Sequence, residues 1–189
     1  MDNRAKFTTE TRQDWRDWLQ ENHTQTEGIW LITYKKNSGM PYLSYDEIVE
    51  EAICFGWIDS VPRKLDEKRT MLYISPRKKK SNWSKANKDR VAKLLDLGLI
   101  HAAGMAKIEQ AKADGSWTFL DDVEALIIPE DLERALSQNP IAQKYFTAFP
   151  PSIKRGILEW IKNAKRSSTR AKRINKTVDL AAQNIRANF

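Results

Sequence analysis

Residues 44–76 read SYDEIVEEAICFGWIDSVPRKLDEKRTMLYISP, and the change of period inside this stretch decides the fold. In its first part Ile48, Ala52 and Phe55 recur at helical spacing behind Ser44, a good capping residue, and Gly56 supplies the stop. Beyond it, WIDSVPRKL and RTMLYISP are rich in β-branched and aromatic residues and flank Asp66-Glu67-Lys68, which is a hairpin pattern. A helix running straight into a hairpin makes this an α+β chain. On a strand over 57–65, Trp57 and Asp59 share one face and Ile58 takes the other. Asp59 then either pairs with Arg63 or Arg77, or joins Trp57 and Tyr73 in a pocket rimmed by Arg77 and Trp83.

Working outward, Thr8 or Thr9 caps a first helix to about Asn22, with Trp15, Trp18 and Leu19 on its apolar side. GIWLITYKK (28–36) reads as a further strand, so the expected sheet is small and antiparallel. After Ser81 a helical spacing returns through Trp83, Asn87, Arg90, Val91 and Leu94 to a stop at Gly98. Another helix covers about 102–113 and ends at Asp114-Gly115. The predicted organisation is an α+β domain over 1–115, a connection over 116–128 and a helical C-terminal region over 129–189. In that region Pro129 and Pro140 suit first-turn positions, the latter behind Asn139, and Pro150-Pro151 divides the helices. Ile153, Ile157, Trp160, Ile161 and Ala164 form one apolar stripe, and Ile174, Val178, Ala181 and Ile185 form another.

The chain has 189 residues, 41% hydrophobic and 30% charged, the balance of a soluble globular protein. No apolar run approaches the roughly 20 residues that span a bilayer. MDNRAKFTTETRQDW lacks the apolar core of a signal peptide, and Cys54 is the only cysteine. These features predict a cytoplasmic protein without membrane insertion. The net charge of +7 is unevenly spread. Residues 77–93 hold eight bases against Asp89, and residues 154–176 hold nine against Glu159, so the rest of the chain is net acidic.

PRKKKSNWSKANKDR (76–90) is the strongest local feature. Arg77, Lys78, Lys79, Lys80 and Lys85 supply cations, Trp83 a stacking face, and the helix start near Ser81–Ser84 free N–H groups for an anion. In the second segment Arg155, Lys162, Arg166, Thr169 and Arg173 align if one helix is continuous; a break at Ser167-Ser168-Thr169 puts the bases, Arg170 included, at a corner. The partner these segments suggest is anionic, a nucleic acid or a phosphorylated ligand. Solvated charged faces, with Trp83 in the core, explain the same residues. Glu10, Asp14, Asp17 and Glu21 form an acidic ridge on the first helix, to be balanced by basic residues, a partner or a hard cation. Glu47, Glu50 and Glu51 add a second acidic edge.

Recognisable catalytic arrangements are missing. His23 and His101 stand far apart in sequence, outside any metal-ligand spacing, and there is no GxSxG, Walker-type loop or GxGxxG. Cys54 lies beside an apolar helix face and reads as an inert thiol. No cofactor follows from any motif. A small-molecule site or enzyme built on Trp57, Asp59 and Tyr73 stands as the alternative to anion binding.

LSYDEIVEEAICFGWIDS, YISPRKKKSNWSKANKDRVAKLLDLGLIHAAG and AKADGSW resemble the YdeI/OmpD-associated family of bacterial proteins. PEDLERALSQNPIAQKYFTAFPPSIKRGILEWIKNAKRSSTRAKRI resembles the helical C-terminal module of that family. The ordered blocks run over about residues 10–180, with FGWIDS and SNWSK the most specific. The resemblance implies an association with bacteriocin protection or an outer-membrane porin, and so with stress tolerance. It brings no set of catalytic residues.

Overall fold

The computed structural model describes residues 4–188. The chain forms two compact units that meet in sequence at Thr118 and Phe119. In the first, four strands are ordered β1 (Lys6–Thr8), β2 (Ile29–Tyr34), β4 (Arg69–Pro76) and β3 (Trp57–Lys64). The pairs β2–β4 and β4–β3 are antiparallel, as expected, but β1 runs parallel to β2, so the sheet is mixed. Thr8 is therefore a strand residue rather than a helix cap. The cap is Thr11, whose hydroxyl accepts from the Asp14 N–H. At the hairpin tip Asp66 accepts from the N–H groups of Lys68 and Arg69, closing the turn with its own side chain. Register shifts between Asp59 and Pro62 on the edge strand β3, where a proline without an N–H is tolerated.

Four helices share a core with this sheet: α1 (Arg12–Asn22), α2 (Tyr45–Cys54), α3 (Lys85–Asp96) and α4 (Ala102–Asp114). The capping box of α2 is complete. Ser44 accepts from the Glu47 N–H, and the Glu47 carboxylate accepts from the N–H and hydroxyl of Ser44, which hold it below the usual carboxylate range. Gly56 ends the helix in the left-handed region at φ +77. A Cβ on Gly104 would stand 2.3 Å from the Cys54 carbonyl oxygen, so α4 can lie against the end of α2 only because this position has no side chain. That close approach carries Lys107, Gln110 and Asp114 of α4 to the loop that follows β4.

The second unit is helical. It consists, among the described residues, of α5 (Asp121–Glu124), α6 (Glu130–Ser137), α7 (Pro140–Ala148), α8 (Pro151–Lys162) and α9 (Ser167–Ala181) around Leu132, Leu136, Phe146, Ile157, Ile161 and Ile174. Asn139 caps α7 with Pro140 in its first turn, and Pro151 opens α8. Pro129 sits one step earlier than expected, at the N-cap of α6. The basic stretch bends between Lys162 and Ser167, which settles corner against stripe in favour of the corner. Ile185 lies past the end of α9 and is exposed, so the last stripe is shorter than its spacing suggested.

Candidate functional site

β4 ends at Pro76, and the next residue turns inward. The Arg77 N–H donates to the Gly56 carbonyl, and its side chain is 2% exposed. The guanidinium lies over the Trp83 ring, 3.7 Å from the centroid. Nη1 donates to the Asn82 carbonyl at 3.1 Å and weakly to the Ser81 hydroxyl at 3.4 Å. Among the described residues nothing accepts from Nε or Nη2, although both are fully buried. Trp83 Nε1 is likewise buried without a partner, and Ser116 Oγ is buried beside Asp114. All three side chains line one small hollow of about 10 Å³, no more than the space of a single water. Lys78, Lys79 and Lys80 form its exposed rim.

The loop is tightly held. The Ser81 N–H returns to the Lys78 carbonyl, and the Trp83 N–H reaches the Ser116 carbonyl. Lys80 is left-handed at φ 58, unusual for a residue with a side chain, and donates its N–H to Asp114 at 3.1 Å. The other oxygen of Asp114 accepts from the Ser116 N–H, and the Ser116 side chain first, then its N–H and that of Lys80, hold the carboxyl below its ordinary range. Asp114 thus faces the loop backbone it organises.

Burial pushes Arg77 down to about 10, while the field of Asp59 pulls the other way. Desolvation dominates, as it must for a cation without a carboxylate against it. Buried polar groups in native proteins are nearly always paired, so this cluster of orphans calls for an explanation. Nε–H and Nη2–H lie on one edge of the guanidinium and form a two-pronged donor that matches two oxygens of a carboxylate or phosphate. Two acceptors in the lining, Ser81 and Asp114, are engaged by Arg77 Nη1 and by the N–H groups of Lys80 and Ser116, and none reaches Nε or Nη2.

The other predicted site residues have different surroundings. Trp57 is buried edge-on to Trp18 at 5.7 Å and donates Nε1 to the His23 carbonyl. Asp59 accepts from the Tyr45 hydroxyl at 2.7 Å. Tyr73 packs on Trp30 on one side and under the Arg4 guanidinium on the other. Lys85 pairs with Asp89 one turn along α3. Trp83, expected to offer a stacking face to a base, is 1% exposed and already covered by Arg77; that role is withdrawn. In the second unit Arg166 is exposed, Arg170 is held by Asp131, and Arg173 donates to the Trp160 carbonyl and lies over its ring.

A second charged cluster gathers at the acidic edge read on the second helix, and the cations that meet it were not anticipated. The carboxylates of Glu50 and Glu51 are 6% and 3% exposed, and three cations meet them. Arg12 bonds to both glutamates, Arg16 to Glu51 at 2.6 Å, and Lys93 to Glu50 at 2.6 Å. These groups line a cleft of about 460 Å³ with Gln13, Leu97 and Leu99. The sequence signal was a pair of arginines four apart on α1, on the side away from the acidic ridge. Among the described residues no group of three or more His, Cys, Asp or Glu is placed to hold a metal ion. Cys54 is buried, and burial followed by Glu51 pushes its thiol up to about 11.

The architecture is thus an α+β domain carrying a small basic-rimmed hollow, followed by a helical module. Residues 7–107, more than half of the chain, match a domain-of-unknown-function family, DUF8412, and the chain belongs to that family. Residues 125–184 match the family described as bacteriocin-protection, YdeI or OmpD-associated. The YdeI/OmpD resemblance therefore holds for the helical module, whereas FGWIDS and SNWSK fall within the DUF8412 span. No curated protein and no solved structure matches the chain. Among the described residues no helix is long and apolar enough to cross a membrane.

Proposed function

We propose that this protein binds an anionic, phosphate-bearing partner at the hollow above Arg77. One observation carries the reading: a fully buried guanidinium keeps two N–H groups without acceptors beneath three exposed lysines. An arginine retained at that desolvation cost is explained by an anion that completes it. Lys78, Lys79 and Lys80 attract the partner from solution, and Arg77 holds it. In this reading Trp57 and Asp59 are hydrogen-bonded elsewhere and Tyr73 packs on Trp30, and Asp59 bears on Arg77 only through its field. A role in stress or antimicrobial tolerance, exercised in the cytoplasm, is supported by the family description of residues 125–184 and by the single cysteine.

The test is fluorescence anisotropy of labelled single- and double-stranded DNA and RNA, titrated at several salt concentrations. Binding should weaken steeply with salt, with a log–log slope of about −0.7 to −0.9 per phosphate neutralised. Replacing Lys78–Lys80 by alanine should lower affinity and flatten that slope. Unchanged affinity and slope would remove the lysine rim from the interface.

A further inference from the structure

The cleft of about 460 Å³ over Glu50 and Glu51 has the size of a small-molecule site and is separate from the hollow at Arg77. We infer that it binds a small aliphatic monocarboxylate, with the carboxylate on Arg12 and Lys93 and the hydrocarbon body against Leu97 and Leu99. Three cations meet two carboxylates there, which leaves one positive charge over. Each of the four glutamate oxygens already accepts from a cation. Lys93 and Arg12 take the two oxygens of Glu50, and Arg12 and Arg16 those of Glu51. The buried carboxylates therefore need nothing more, and a cationic ligand would only add to the excess.

The donors are distributed in the same sense. Arg16 is engaged, with one terminal nitrogen on Glu51 and the other on the Leu99 carbonyl. Arg12 gives Nε to Glu51 and Nη2 to Glu50, and among the described residues nothing accepts from Nη1. Lys93 has three N–H groups and a single acceptor, Glu50. Both side chains are partly open to solvent, so a ligand can reach them, as it cannot reach a fully buried group. An apolar wall stands beside these cations: Leu97 is exposed, and Leu99 is half-buried against the core. An organic carboxylate answers to both features, since its two oxygens take charged N–H donors and its alkyl chain covers the leucines. Inorganic phosphate has no body for that wall, and its second charge exceeds the single one left over.

The experiment is proton–nitrogen correlation NMR of the full chain, titrated with hexanoate, acetate, hexylammonium and inorganic phosphate at constant ionic strength. Millimolar hexanoate should shift the amides of Gln13, Lys93, Leu97 and Leu99 saturably. Acetate should move the same amides with an affinity at least about tenfold weaker, the factor that roughly two buried methylenes supply. Hexylammonium and phosphate should leave them in place. Lys93→Gln should abolish the hexanoate response and Lys93→Arg should keep it. Leu97→Ser, at an exposed position, should bring hexanoate down to the affinity of acetate, and it covers the case in which Lys93→Gln disturbs the cluster. No saturable shift in the cleft would overturn the inference, as would an equal response to hexylammonium or a hexanoate affinity unaltered by Leu97→Ser. Hexanoate shifts confined to Lys78–Lys80 would also overturn it, while leaving the anion-binding reading at Arg77 in place.

Discussion

The first unit buries charge in two places, and it does so in opposite ways. On α2, Glu50 and Glu51 lose their water and gain Arg12, Arg16 and Lys93. After β4, Arg77 loses its water and gains a tryptophan face, a carbonyl and a long contact to a hydroxyl. The first arrangement ties three helices together and is complete without anything added. The second is incomplete, and its incompleteness is concentrated on one edge of one side chain. A paired buried charge is architecture; the unpaired edge of Arg77 is what the proposed anion binding rests on.

Removing Glu51 should show the larger effect. Glu51→Ala takes away the carboxylate that Arg12 and Arg16 share, and breaking a buried pair by deleting one partner typically costs about 3–5 kcal/mol. Both arginines are about one-third exposed or less and can partly turn to water, so a loss of about 2–3 kcal/mol is expected in denaturant unfolding. A loss under about 0.5 kcal/mol would mean that the cluster is not what holds α1 to α2, and the contrast with Arg77 would fall.

Arg77→Met should move stability the other way. Methionine fills a similar volume without a charge to desolvate, against which stand the lost contact with Trp83 and the bonds from Nη1. The expected balance in anion-free buffer is a gain of about 1 kcal/mol, together with loss of anion binding. A loss of stability of about 2 kcal/mol or more would make Arg77 a structural residue. The comparison would then be between two kinds of scaffold.

The fate of the basic segments explains which parts of this picture were legible in the sequence. Local devices were: the Ser44 cap, the Gly56 and Gly115 stops and the Asn139-Pro140 start all act within a few residues of themselves. The strand β1 was not, because three residues acquire strand character only by pairing with Trp30–Ile32. Arg77 and Lys78–Lys80 could be singled out as cations, but not that Arg77 turns inward, since that depends on Ser116 and on α4 lying close at Gly104. The absence of an acid opposite it is a property of the whole fold. In the second segment charge alone was equally visible and means less: Arg155, Lys162 and Arg170 are paired with Glu124 and Glu159, Asp122, and Asp131 respectively.

Those pairs give a third, smaller effect. Asp131 is held below the usual carboxylate range by Arg170, and Asp122 by Lys162 against the opposing effect of burial. A carboxylate whose folded pKa is depressed stabilises the fold above its unfolded value near 4, and that contribution disappears as pH falls through the folded value. Stability of the second unit should therefore decline in acid below about pH 4. Asp131→Asn should cost about 0.5–1 kcal/mol at pH 7 and make that decline shallower. An unchanged acid limb in urea titrations at a series of pH values would show these half-exposed pairs to be idle, and the charge of the second segment to be held only by solvent.

The smallest effect bears on how firmly the incomplete site is pre-formed. Lys80 holds the left-handed turn at φ 58 that a residue with a Cβ adopts at a cost of roughly 1 kcal/mol. Lys80→Gly relieves the strain but adds freedom to the unfolded chain, whereas Lys80→Ala keeps the strain and removes the same charge. The glycine variant should be the more stable of the two by about 0.5 kcal/mol, by thermal or denaturant unfolding. Since both lose one lysine from the rim, any difference in anion affinity between them reports the loop and not its charge. Weaker binding by the glycine variant is expected, because the strained turn fixes the Lys80 N–H on Asp114 and thereby the rim above Arg77. A glycine variant no more stable than alanine would mean that the turn carries no strain. Equal binding by the two would mean that the turn only connects β4 to α3, and that Arg77 alone separates this region from the paired charges of α2.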